Sequence, residues 1–284
     1  MHILIIVKNV YGCAVKEVNM YSKALFLNVH LYGIMIAIGI LCCFIVLFVF
    51  TKKKNIESRF VDFIFYDGIG AIMFGFFTAA LYQGIYNYIE NPSGGFSLNG
   101  GITFIGGLIG GAVFFLGVYF LLRKRYKTRL TDVLSLLPCC ILIAHAFGRV
   151  GCFFAGCCYG KETSSFLGVS FPKNSLYYGY DGTPVHPTQL YEAAFLFILF
   201  GVCLYLYMKK NFQHNLSLYL VCYGIFRFLI EYLRGDDRGA FIAGLSPSQA
   251  QSLLMIAIGV GFYFVFKKVL EKRQKELKEQ AESN

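Results

Sequence analysis

The sequence predicts an all-α, polytopic membrane protein with seven transmembrane helices, its N-terminus outside and its C-terminus cytoplasmic. Three observations predict it. The 284 residues are 57% hydrophobic and 15% charged, with a mean hydropathy of +0.59, whereas a soluble domain carries about 25% charged residues. Apolar stretches of roughly 20 residues, long enough to cross a hydrocarbon core, recur at about 31–50, 60–82, 101–122, 131–149, 189–208, 216–233 and 249–266. Lysine and arginine are also partitioned. Alternate connections and the C-terminal tail hold 17 of them, the opposite set holds 8, and Arg227 lies inside a span. Cytoplasmic connections are enriched in these residues, which sets the orientation.

The same composition excludes other classes. With 30 Phe and 20 Tyr, the chain is too apolar to be disordered. Ten cysteines in so long and apolar a chain do not make a small disulfide scaffold. No internal repeat of the kind that builds inverted-repeat transporters is visible. The sequence divides into one seven-span domain over 1–270, with an external lead-in over 1–30, and a charged cytoplasmic tail over 271–284.

In chain order, the lead-in carries a short apolar run, Ile3–Val7, that Lys8 interrupts. It is too short for a signal-peptide core, although Gly12-Cys13 resembles a lipoprotein cleavage site. The reading is an external amphipathic segment. The connection at 83–100 lacks Lys and Arg and contains the turn signal Asn91-Pro92-Ser93-Gly94-Gly95. The third span then carries Gly106/Gly110 and Gly107/Gly111, two overlapping small-xxx-small pairs that let helices approach closely. An external segment over 150–188 is rich in Gly, Tyr and Cys, and an irregular segment of that length is usually functional. Ser246-Pro247-Ser248-Gln249 reads as a helix start, with serine as N-cap and proline first in the helix. The tail from Glu271 reads as a solvated helix end or a disordered tail.

The strongest chemical signal is in the sixth span, where Tyr223, Arg227, Glu231 and Arg234 share one helical face. Ionisable groups in a span are costly and usually face a cavity, where they pair or bind ligand. Two arginines around one glutamate suit an anionic ligand, while a purely structural Arg–Glu pair with Arg234 reaching the surface is the alternative. Arg149 stands at the outer end of the fourth span in Gly148-Arg149-Val150-Gly151, with His145 on the same face. His186-Pro187-Thr188-Gln189-Leu190-Tyr191-Glu192 opens the fifth span, with Thr188 as N-cap and Glu192 placed to pair with an external arginine. Both histidines could equally be packing residues. Cys152, Cys157 and Cys158 match no pair of metal-binding hooks, and free cysteine packs well as a small apolar residue. Metal ligands are therefore not expected.

At these residues the chain resembles the prolipoprotein diacylglyceryl transferases of bacterial membranes. The resemblance covers most of the chain from His30 onward. It rests on Leu31-Tyr32-Gly33, the glycine-rich third span, Gly-Arg-x-Gly at 148–151, His-Pro-Thr-Gln-Leu-Tyr-Glu at 186–192, Tyr-Gly-x-x-Arg at 223–227, Glu231-Tyr-Leu-Arg234 and Leu-Ser-x-x-Gln at 245–249. It implies seven spans with the N-terminus outside, in the bacterial cytoplasmic membrane. It also implies transfer of the diacylglyceryl unit of phosphatidylglycerol to the signal-sequence cysteine of a prolipoprotein, giving a thioether and glycerol phosphate. By position, Arg149, Arg227, Tyr223, Glu231, His145 and His186 become candidate catalytic residues, and Arg149, Arg227, Arg234 and Tyr32 candidate phosphatidylglycerol ligands. No metal, diffusible cofactor or nucleic-acid partner is implied.

Two departures from the family pattern stand out. The usual histidine before the third-span glycines falls on Ile105, which leaves His145, His186 and then Tyr223 as substitute bases. The segment after Gly-Arg-x-Gly carries Cys152, Ala155 and Cys157 where better-known members carry polar residues. The glycines of the third span are expected to leave room for lipid and signal helix to enter from the side. Alternatives are a paralogue with another acceptor and a lipid-binding or transport protein that performs no chemistry.

Overall fold

The computed structural model describes residues 6–10, 13–17, 30–90, 92, 95–98, 104–171, 182–235 and 245–282. Of the turn expected at Asn91–Gly95, Pro92 and Gly95 are described, and the Gly95 N–H donates to the Pro92 carbonyl at 3.3 Å; Asn91, Ser93, Gly94, most of the lead-in and the side chain of Ile105 lie outside the described residues. The helices are α1 (Leu31–Lys53), α2 (Ser58–Glu90), α3 (Phe104–Leu122), the short α4 (Leu130–Val133), α5 (Leu137–Ala155), α6 (Thr188–Lys210), α7 (Asn215–Ile230) and α8 (Pro247–Glu282). All but α4 are long and apolar enough to cross a membrane. A small sheet accompanies them: β1 (Ile6–Val10) pairs antiparallel with β2 (Cys13–Glu17), and β3 (Val169–Ser170) adds parallel to β2.

The chain forms two compact units, one running Leu47–Val133 and the other taking in α1 up to Val46 and everything from Leu134 onward. In the first, α2 and α3 pack along small residues. A Cβ on Gly75 would lie 2.9 Å from the Gly107 carbonyl, and one on Gly106 would lie 2.7 Å from Cβ of Tyr82. Thr78 donates its hydroxyl to the Gly106 carbonyl at 3.0 Å. Gly106, Gly107, Gly110 and Gly111 of the third span are thus filled by α2. This corrects the expectation that they leave a lateral opening: Ala71, Gly75 and Thr78 supply the matching small face.

In the second unit, α5 packs on α6, α7 on α8, and α6 and α5 both touch α7. Glycine sets two of the approaches. Gly39 brings α1 to within 2.9 Å of the Ala144 carbonyl, measured from where its Cβ would stand, and Gly224 does the same for α7 against Ile256 at 2.7 Å. At the other end, buried Asn215 donates to the carbonyls of Ser135 and Cys203, both at 2.9 Å, locking the starts of α5 and α7 to the end of α6.

The fourth span departs from its predicted limits. Hydropathy placed it at 131–149, but Pro138 sits in its first turn and the helix runs to Ala155, where Gly156 closes it at φ 69°. Proline fits the first turn because its missing N–H would have no partner there. Gly148, Arg149 and Gly151 are consequently helical, and the irregular segment expected from residue 150 begins only after Ala155. The tail continues α8 as helix to Glu282.

The packing of α2 on α3 makes a direct prediction. Gly75→Leu should lower stability by about 1–3 kcal/mol through overpacking, read as a lower thermal midpoint in detergent. Gly117→Leu, whose added Cβ meets nothing within 4 Å, should leave the midpoint within about 1 °C if packing is the cause.

Candidate active site

The candidate site is built from α5, α6, α7 and the start of α8. Its centre is Glu192, one turn into α6 and 1% exposed. A lone carboxylate there would be costly, so its partners define the geometry. Oε1 of Glu192 lies 3.0 Å from Nε of Arg149 on α5 and accepts the Tyr223 hydroxyl of α7 at 2.6 Å. Nε2 of His145 stands 3.8 Å from the same oxygen, and its ring meets Tyr223 edge-on at 5.0 Å between centroids. His145 and Arg149 therefore do share a face, and that face meets Glu192, the arginine partner the sequence suggested for it.

A second pair lies one turn along α7. Nη1 of Arg227 is 2.8 Å from Oε2 of Glu231, and Nη2 donates to the Ser248 hydroxyl at 2.9 Å. Glu231 also accepts the Ser246 hydroxyl at 2.9 Å. Ser246 is the expected N-cap of α8: it accepts the Gln249 N–H at 3.2 Å, and its own N–H donates to Oε1 of Gln249 at 3.0 Å. This is a reciprocal capping box. The close approach of α7 and α8 at Gly224 sets Arg227 against Ser248.

Arg234 leaves this group. After Ile230 the chain tightens into a 3-10 turn over Glu231–Leu233, and Arg234 is extended at φ −71°, ψ 139°. Its position eleven residues after Tyr223 therefore does not keep it on the α7 face. Instead Nη1 donates to the Cys158 carbonyl at 2.9 Å. Thr188 also departs from expectation. It is the first residue of α6 and makes no cap; its hydroxyl donates to the Cys158 carbonyl at 2.8 Å, while Gln189 donates to the carbonyl of Cys157. With Pro187 before it, the helix start has one fewer N–H to satisfy.

The turn after α5 is thus pinned from three sides. It rests on a small core of Phe153, Val169, Phe171 and Val185. Gly160 abuts His186 so closely that a Cβ would lie 2.6 Å from that of His186. Nδ1 of His186 faces the Tyr191 hydroxyl at 3.2 Å, and among the described residues no hydrogen bond or ion pair joins His186 to Glu192. Tyr32 of α1 is 42% exposed and lies over Gly151, where a Cβ would come within 3.1 Å of its ring. Hydrogen bonding among the three thiols, first with Cys152, and then the Arg234 guanidinium draw the Cys158 thiol well below its ordinary range, while hydrogen bonds from its two neighbours push Cys157 up. Sequence reasoning missed Ser248, Ser246 and Gln189 as parts of the site. The Ser-x-x-Gln helix start was visible, but not that it faces an arginine.

Comparison with known proteins accords with this arrangement. The family model described as prolipoprotein diacylglyceryl transferase matches residues 20–265. The chain is 37% identical to the phosphatidylglycerol–prolipoprotein diacylglyceryl transferase of Clostridium tetani over 84% of its own length and 93% of that protein. It is 33% identical to phosphatidylglycerol–prolipoprotein diacylglyceryl transferase 2 of Clostridium perfringens over 85% and 92%, and 32% identical to the Campylobacter curvus enzyme of the first name over 85% and 91%. With its apolar helices and its buried arginine–carboxylate pairs, this chain is a multi-pass membrane protein that belongs to the prolipoprotein diacylglyceryl transferase family.

Proposed function

We propose that this chain transfers the diacylglyceryl group of phosphatidylglycerol to the signal-sequence cysteine of a prolipoprotein, in the bacterial cytoplasmic membrane, with the N-terminus outside, the C-terminus cytoplasmic and residues 1–270 as the catalytic domain. The observation that carries this reading is the pair of arginines, Arg149 and Arg227, each held by a buried carboxylate in a membrane-spanning helix of this family. An anionic headgroup in a medium of low dielectric requires such donors.

The two arginines are held differently. Glu192 engages Arg149 through Nε, which leaves the paired Nη groups of the fork for two phosphate oxygens. Arg227 spends Nη1 on Glu231 and Nη2 on Ser248. On this reading Arg149 is the phosphate-binding arm and Arg227 supplies fixed positive charge beside it. The acceptor sulfur attacks the glycerol carbon, an S–C bond forms, and the C–O electron pair leaves on the phosphate. The charge growing on that oxygen is met by guanidinium groups already in place, so little reorganisation is needed. His145 takes the thiol proton, with Glu192 beside it to balance the imidazolium. Tyr223 holds the Glu192 carboxylate, and Tyr32 lines the approach to Gly151.

The test is transfer in nanodiscs, from phosphatidylglycerol labelled in its diacylglyceryl unit to a peptide bearing a lipoprotein cleavage motif. Label should appear on the cysteine peptide and not on its serine counterpart, and Arg227→Ala should abolish it. Arg149→Lys should lower kcat by about 100-fold or more, since an ammonium is a point charge that cannot reproduce the bidentate fork. Phosphatidylglycerol retained with no label transferred by wild-type protein would identify a binding protein instead. For orientation, an epitope added after Asn284 should react with antibody only in permeabilised spheroplasts; reaction in intact ones would reverse the assignment.

A further inference from the structure

Neither the helix packing nor the arginine–carboxylate network uses the sulfurs at the end of α5 and in the turn after it. Sγ of Cys152, Cys157 and Cys158 all lie within 4.8 Å of one another. All three are reduced and partly exposed, unlike the buried Cys139, Cys140 and Cys203 that fill the helix core. Thiolates around a tetrahedral zinc ion stand at about 2.3 Å from it, hence about 3.8 Å from each other. Side-chain rotation that closes the cluster by about 1 Å would bring them onto one ion.

The backbone is already committed to this convergence. Gly156 and Cys158 both have positive φ, 69° and 64°, which folds the interval after Cys152 back onto the helix end. A left-handed conformation is uncommon for a residue with a Cβ and persists where surroundings enforce it. Here they do: Gln189 holds the Cys157 carbonyl, while Thr188 and Arg234 both hold that of Cys158. The carbonyls of Cys157 and Cys158 are thus held by α6 and Arg234, while the Cys157 thiol makes a long contact of 3.6 Å to the Cys152 carbonyl. Arg234 also hydrogen-bonds the Cys158 sulfur, as donors beside metal-bound ligands commonly do. Three thiolates with a dication carry one net negative charge, which the guanidinium offsets.

We propose that Cys152, Cys157 and Cys158 form a three-thiolate site for a thiophilic divalent cation, zinc, whose fourth position takes the sulfur of the acceptor cysteine. The proposal rests on the transferase reading for its fourth ligand. The cluster adjoins that site: Tyr32 lies on Gly151, the residue before Cys152. An open fourth position is the mark of a catalytic rather than a structural zinc site. On binding, the acceptor thiol gives its proton to His145, the base of the transferase reading. Its sulfur then donates the pair that forms the S–C bond, the C–O pair leaves on phosphate, and the neutral thioether, a poorer ligand, departs.

The full chain, purified under reducing conditions without chelator from zinc-supplemented cells, should carry about one zinc per chain by elemental analysis. Cys157→Ser and Cys158→Ser should each reduce this at least tenfold, and added zinc should protect the three wild-type thiols from alkylation mapped by mass spectrometry, a readout that needs no variant. With cobalt in place of zinc, sulfur-to-metal charge-transfer bands should appear and shift on addition of the cysteine peptide but not the serine peptide. Zinc retained by the serine variants, unprotected thiols, or a disulfide within the cluster in the native protein would overturn the site. Transfer at full rate by metal-free protein would overturn its role and leave the transferase standing. Bound zinc and shifted bands with no transfer would overturn the transferase and leave the site.

Discussion

The arrangement depends on one buried oxygen. Oε1 of Glu192 is approached by Arg149, Tyr223 and His145, and these come from three different helices. An uncompensated carboxylate at that depth would be neutralised or would unfold its surroundings, since removing one partner of a buried ion pair costs about 3–5 kcal/mol. The charge therefore orders what surrounds it. It fixes α5 and α7 to the start of α6, and it holds the Arg149 fork in one orientation. The Arg227–Glu231 pair repeats the principle along α7, with the capping serine of α8 closing it.

Backbone contacts make these charges meet. Gly224 lets α7 approach α8 to the distance at which Arg227 reaches Ser248, and at the other end of α7 the buried Asn215 ties its start to α6 and to the segment before α5. The turn after α5 uses the same economy on the other side of Arg149. Its carbonyls accept from α6 and from Arg234, so the segment that carries Cys157 and Cys158 is held by side chains although it lies outside the helices.

Most of this was legible in the sequence wherever chemistry is local. Composition and length gave the seven spans, and the spacing of Tyr223, Arg227 and Glu231 gave one polar face. Ser246 announced the start of α8, and Glu192 was identifiable as a partner for an external arginine. What was not legible depends on the fold. A hydropathy window does not register that Pro138 starts a helix, so the fourth span was placed six residues early by its end and Arg149 was put at its edge. The third-span glycines revealed close packing but not the partner, because Ala71, Gly75 and Thr78 on α2 form a face only once that helix exists. The 3-10 turn that carries Arg234 away from α7, and the left-handed residues that gather three cysteines, are backbone events with no periodic signature.

The central claim is that Arg149 acts as Glu192 holds it, so that the two function as one unit. A double-mutant cycle on kcat/KM for diacylglyceryl transfer measures that coupling directly. Arg149→Ala, Glu192→Gln and the double variant should all lose activity to a similar extent, leaving a coupling of about 2–3 kcal/mol. Losses that simply multiply, with the double variant worse than either single by the full product, would contradict the account.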